Sequence, residues 1–200
     1  MNRRDAIQKA GLVLGYVITG PTLAAILNGC KASPELTYKP GLFNKDQALT
    51  IETLSEIIIP KTDTPGAKDV GVPEFIDALV KEVYSKDEQE KFLNELMDFN
   101  EDARKNYGNN FTDCSAEEQL AHFKIHHDKA ISSSAGGGST GWWNRDGGGE
   151  QPFILKVKEL TLLGFFTSEA GATQVLQYNQ VPGPYKGCVP LDEVGKAWAT

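Results

Sequence analysis

The chain is poor in the residues from which most reaction centres are built. Among its 200 residues, three are cysteine, three histidine and two methionine. No cysteine pair stands in a CxxC or CxxCH pattern, so no dithiol redox motif or covalent haem site is encoded. The glycine runs are not followed by Gly-Lys-Ser/Thr, and no GxGxxG follows a strand pattern, so the phosphate cradles of nucleotide enzymes are missing. No serine lies in a GxSxG context. Cations are outnumbered: 20 Lys and Arg stand against 27 Asp and Glu, for a net charge of −7. Without a basic stripe, an acidic chain is a poor nucleic-acid binder. Alternating strand patterns and internal repeats are also lacking, which points to an all-α fold.

What the chain does have is a distinctive start. Arg3-Arg4 precedes an uncharged stretch over residues 10–29, which closes in Leu27-Asn28-Gly29-Cys30. This resembles a twin-arginine export signal joined to a lipobox, with Cys30 as the lipidated mature N-terminus. Ala6 replaces the large apolar residue usual after the arginine pair, so a general-secretion lipoprotein signal is the alternative. A permanent membrane helix is a third reading. Against it, Gly11, Gly15, Gly20 and Pro21 interrupt a stretch barely long enough to cross a ~30 Å core. Arg3, Arg4 and Lys9 against Asp5 make the first 29 residues +2, which leaves −9 from Cys30 onward. The expected organisation is a signal over 1–29, a polar tether over 30–43 and one helical domain over 44–200. The expected location is the periplasm, with a lipid anchor in a membrane.

Helical periodicity and capping residues set out the domain. Asn44 with Gln47 opens a helix whose buried face is Ala48, Ile51, Leu54 and Ile58, and Pro60 ends it. An irregular loop follows, with Pro65-Gly66. Pro73 suits the first turn of a second helix, striped by Ile76, Leu79, Val80 and Val83. Ser85 with Glu88 opens a third, lined by Phe92, Leu96 and Phe99 and stopped at Gly108. Ser115 with Glu118 opens a fourth, through Leu120, Phe123 and Ile131. Residues 132–152 form a glycine-rich loop around Trp142-Trp143, a pair costly to leave in water. The stretch from Phe153 to Phe166 has only a narrow polar strip, so that helix is either central to the core or shared with a second protein. Ser168 caps one more short helix. The tail from Tyr178, with Pro182, Pro184 and Pro190, reads as extended. The expectation is a single compact domain of about five or six helices.

The candidate chemistry is thin. His122 and His126 stand i, i+4 on a helix, which is half a metal site. The zinc-protease pattern needs glutamate after the first histidine, and Phe123 stands there. Asp128 is the one obvious local third ligand. The alternative is a solvated helix end, where histidines suit the dipole. Cys114 and Cys188 suit one disulfide in an oxidising compartment, tying the tail to a helix start; the alternative is two separate thiols. Trp142, Trp143, Phe165, Phe166 and Tyr185 are the expected partner-facing residues, because aromatic side chains dominate protein–protein contacts.

Three stretches together carry a family resemblance. They are Leu54-Ser55-Glu56-Ile57-Ile58-Ile59-Pro60 with Thr62-Asp63-Thr64-Pro65-Gly66-Ala67, then Leu160-Thr161-Leu162-Leu163-Gly164-Phe165-Phe166-Thr167-Ser168-Glu169, then Pro182-Gly183-Pro184-Tyr185-Lys186-Gly187. The chain resembles subunit 3, the small subunit, of membrane-bound gluconate 2-dehydrogenase and related sugar dehydrogenases. The resemblance implies a large flavoprotein partner of the glucose-methanol-choline type. That partner would hold FAD and substrate and leave the cell with the small subunit. It also implies a cytochrome subunit with haem c in some complexes. It carries no catalytic or cofactor-binding residue over to this chain. A stand-alone metal enzyme using the histidines, or a structural or ligand-binding lipoprotein, are the competing classes.

Overall fold

The computed structural model describes residues 36–134, 151–178, 180, 181, 183, 184 and 187–199. Five long helices dominate: α1 (Lys45–Ile58), α2 (Val72–Val83), α3 (Lys86–Tyr107), α4 (Ala116–Ser134) and α5 (Phe153–Thr167). A 3-10 turn (Phe111–Asp113), a π turn (Gly171–Val175) and a four-residue α6 (Leu191–Val194) complete the set. Among the described residues there is no strand beyond one isolated bridge. The all-α expectation holds.

Three of the five long helices start on a local capping pair. Asn44 Oδ1 accepts from Gln47 N at 2.9 Å, and Gln47 Oε1 accepts from Asn44 N at the same distance. Ser85 with Glu88 and Ser115 with Glu118 repeat the reciprocal pair. Two otherwise orphaned N–H donors are thereby satisfied at each start. Gly108 ends α3 in the left-handed conformation, its N–H returning to Arg104 O at 2.9 Å.

Helix α5 is the centre of the domain. It packs against α1, α2, α3 and α4. It buries Phe153, Ile154, Val157, Leu160, Thr161, Gly164 and Phe165. A helix with so little polar face has to be enclosed by others, and the core reading is the one the structure realises. Thr161 is its single buried hydroxyl, spent on Val157 O at 2.7 Å and on Ser55 Oγ of α1 at 3.4 Å.

The loop after α1 is knit around one carboxylate. Glu56 Oε1 accepts from Lys61 N at 2.9 Å and its Oε2 from Lys68 N at 3.1 Å, while Ala67 N donates to Ile59 O. A β-carbon at Gly66 would stand 2.5 Å from Glu56 Oε1. The Pro65-Gly66 stretch is thus irregular but held from within.

Several expectations are corrected. The tether expected over 30–43 ends earlier, because Leu36, Tyr38 and Leu42 pack on the core and Phe43 is buried. Val83 of the α2 stripe is exposed. The face of α4 is turned: Leu120 and Ile131 face solvent, while His122 and Ala130 are buried. The expected Cys114–Cys188 bridge is not made. Cys114 is buried with its Sγ 3.3 Å from Asn110 O, whereas Cys188 is exposed. The tail is not wholly extended, since α6 forms and the chain returns to Gln177.

Among the described glycines, Gly171 leaves the least room for a side chain. A β-carbon there would collide with the carbonyl oxygen of Phe165 and lie 2.9 Å from its carbonyl carbon. Backbone cannot step aside as a side chain can. Gly171→Ala is therefore expected to destabilise by about 2–3 kcal/mol, the upper part of the usual overpacking range. Urea denaturation checks this; an unchanged midpoint would show that the turn has slack.

Candidate functional site

The histidines lie at the junction of α3 and α4. Helix α4 presents them inward because Gln119, His122, His126 and Ala130 recur at helical spacing. His122 is 0 % exposed. Its ring lies 4.5 Å from that of Phe99 and 5.8 Å from those of Tyr107 and Phe111. Its Nε2 sits 3.1 Å from Phe99 O. A carbonyl can only accept, so Nε2 carries the hydrogen and Nδ1 is left with its lone pair. That Nδ1 is buried and has no hydrogen-bond partner among the described residues. Burial pushes the His122 imidazole below its ordinary value, more than the Phe99 bond and the Asp102 charge raise it. His126 lies edge-on beside it at 4.5 Å and is lowered chiefly by burial, then by His122, with Asp102 opposing and Lys129 adding.

This is a neutral aromatic cluster rather than a solvated helix end. The two rings are brought together, but His122 Nε2 is committed to a carbonyl. Among the described residues no three His, Cys, Asp or Glu side chains converge as a metal would require. His126 faces a cleft of about 250 Å³ with Glu95, Asp98, Asp102 and Lys129 on its walls. His126 Nε2 is 3.8 Å from Asp102 Oδ2. His127 stacks on Phe123 and pairs with Lys158 at 3.1 Å. Sequence reading missed the buried role of His122. The same inward face carries Gln119, whose amide donates to Phe111 O at 3.0 Å, a contact that only the fold brings about.

The expected partner-facing residues divide. Phe165 is 2 % exposed and belongs to the core, so it is removed from the surface set. Phe166 is exposed, as is Leu162 one turn before it. Trp142, Trp143 and Tyr185 lie outside the described residues, as do Arg3, Arg4 and Cys30. The segment holding the two tryptophans joins α4 to α5. Those two helices carry the outward Leu120 and Ile131 and the outward Leu162 and Phe166. The structure also reveals an apolar set at the carboxy-terminal end: Tyr178, Val181 and Trp198, exposed by 60, 78 and 52 %.

These features define an all-helical domain that offers apolar surface and capped helices and, among the described residues, no assembled nucleophile, acid–base pair or metal cluster. The model of the family described as Gluconate 2-dehydrogenase subunit 3 matches residues 45–183. That is well over half of the chain, and the chain belongs to this family, a subunit of a dehydrogenase complex. Comparisons with curated proteins and with solved structures gave no match.

Proposed function

We propose that this chain is the non-catalytic small subunit of a periplasmic, membrane-associated, FAD-dependent sugar or gluconate dehydrogenase complex. The observation that carries the reading is the family match over residues 45–183. The large partner is a flavoprotein of the glucose-methanol-choline type, which holds FAD and substrate; a cytochrome c subunit completes the electron path in complexes that have one. The small subunit supports export and stability of the flavoprotein and ties it to the membrane. Arg3 and Arg4 supply the export signal and Cys30 the lipid. Trp142, Trp143, Phe166 and Tyr185 contribute to the contact, where covering apolar surface gains about 25 cal/mol per Å².

Purification of the full chain from membranes tests this: a yellow, FAD-containing protein is expected with it, and a colourless preparation would overturn the reading. Replacing both Arg3 and Arg4 by lysine is expected to strand the flavoprotein in the cytoplasm. Its continued arrival in the periplasm would show that it leaves by a signal of another chain.

A further inference from the structure

A second cavity, of about 500 Å³, lies where the start of α1, the end of α3 and the 3-10 turn meet. Three primary amides line it: Asn44 and Gln47 at the start of α1, and Asn100 on α3. The fold uses one end of each. Asn44 Oδ1 and Gln47 Oε1 accept from each other's backbone N–H at 2.9 Å. Asn100 Oδ1 accepts from the buried Thr50 Oγ1 at 3.1 Å. Among the described residues, Asn44 Nδ2, Gln47 Nε2 and Asn100 Nδ2 serve no acceptor. Arg104, on the same wall, donates from Nε to Asn110 Oδ1, and its two Nη groups serve none of the described residues.

What the fold leaves over is therefore mostly hydrogen-bond donors. The amide oxygens are spent, while the amide nitrogens and the guanidinium fork remain. The charges narrow the class further. Glu101 and Lys105 pair with each other at 3.5 Å. Arg104 is then the lining cation without an ion pair among the described residues, and Asp46 the lining anion without one. An apolar ligand would strand the donors. A phosphate dianion would meet a single free cation with Asp46 against it. An amino acid brings two acceptor oxygens, too few for three amides and an arginine. A monoanion with several hydroxyls matches: its carboxylate suits the planar fork of an arginine, and each hydroxyl both accepts and donates. The volume is within the usual range for small-molecule sites.

We propose that this cavity binds a small polyhydroxylated carboxylate of the sugar-acid class. Arg104 holds the carboxylate, the three amides donate to hydroxyl oxygens, and Asp46 accepts hydroxyl hydrogens. Titration calorimetry on the isolated full chain tests this without the flavoprotein, so the site stands or falls apart from the function proposed above. D-gluconate should bind saturably at one site. Sorbitol, a polyol of the same length without the carboxylate, and acetate, a carboxylate without the hydroxyls, should each bind at least about tenfold more weakly, as for one lost charge-assisted contact. No saturable binding of gluconate, or equal binding of sorbitol or acetate, would overturn the proposal.

Two substitutions separate binding from folding. Asn44→Asp and Asn100→Asp keep the oxygen that the fold uses and replace the donor by a second, charged oxygen. Aspartate caps a helix about as well as asparagine. Both variants should keep the urea midpoint and weaken gluconate binding at least about tenfold. Gln174→Glu, on the π turn and outside the cavity, makes the same change of charge and should leave binding unaltered. Undiminished binding in either folded Asp variant, or an equal loss in Gln174→Glu, would overturn the assignment. If Asn100→Asp lowers the midpoint, Asn44→Asp alone decides.

Discussion

Asp77→Ala is expected to cost about 3 kcal/mol and to loosen the entry of the chain into the domain. Asp77 is buried on α2. Its Oδ2 accepts from Gly41 N at 2.5 Å, and its Oδ1 from Leu42 N at 2.9 Å and Phe43 N at 3.2 Å. Three consecutive amides thus share one carboxylate. Removing it strands all three, at about 1 kcal/mol or more each where they stay out of water. Asp77→Asn keeps one acceptor oxygen and should lose roughly half as much. The neighbouring contacts reinforce the junction: Glu52 is buried against Lys68 and accepts from Thr37 Oγ1 at 3.2 Å. Urea midpoints measure the loss, and hydrogen exchange at the Gly41, Leu42 and Phe43 amides measures the loosening. A loss below about 1 kcal/mol would mean that Leu36, Tyr38 and Leu42 hold the junction by apolar contact alone.

Acid should weaken the domain through His122, and His122→Phe should blunt that effect. The folded state holds the imidazole neutral, with its ionisation lowered from the ordinary value by burial. Below about pH 6.5 the unfolded chain takes up a proton that the folded one resists. Stability from this group is complete above that pH and declines as pH falls toward the folded value. The slope is at most about 1.4 kcal/mol per pH unit for one group. His126, lowered in the same direction, adds to it. His122→Phe keeps a ring among Phe99, Tyr107 and Phe111 and removes one titrating site. The stability difference between pH 7 and pH 5 should shrink in this variant. An equal difference would assign the acid sensitivity elsewhere. His122→Ala, by contrast, should cost about 3–4 kcal/mol at neutral pH, since it empties a fully enclosed site.

The helix starts were readable because their signals span three residues. Asn44 with Gln47, Ser85 with Glu88 and Ser115 with Glu118 each act on their own turn and depend little on tertiary context. The inward face of α4 was not readable by apolarity. Leu120 and Ile131 looked like core, while His122 looked solvated. The aromatic cage that keeps His122 neutral comes from α3 and the turn at Phe111, elements that periodicity within α4 cannot see. Asp77 illustrates the same limit, for its three partners lie 34 to 36 residues earlier. The cysteines failed for want of distance: spacing along the chain does not say that Cys114 turns toward Asn110. The family was legible because its motifs fall on the loop around Glu56 and on the central helix. Both positions are demanding: Gly66 and the enclosed face of α5 admit few alternatives.

The central place of α5 also sets a clock. Its residues are the last of the long helices to be synthesised, yet α1, α2, α3 and α4 all close against it. At about 5–20 residues per second, roughly 5–20 s separate the completion of α1 from that of α5. During that interval Ile51, Leu54, Ile76, Val80 and Leu96 have no central partner to enclose them. The nascent chain therefore carries uncovered core surface until α5 emerges, and any ribosome that stalls short of residue 167 releases a product that cannot complete its core.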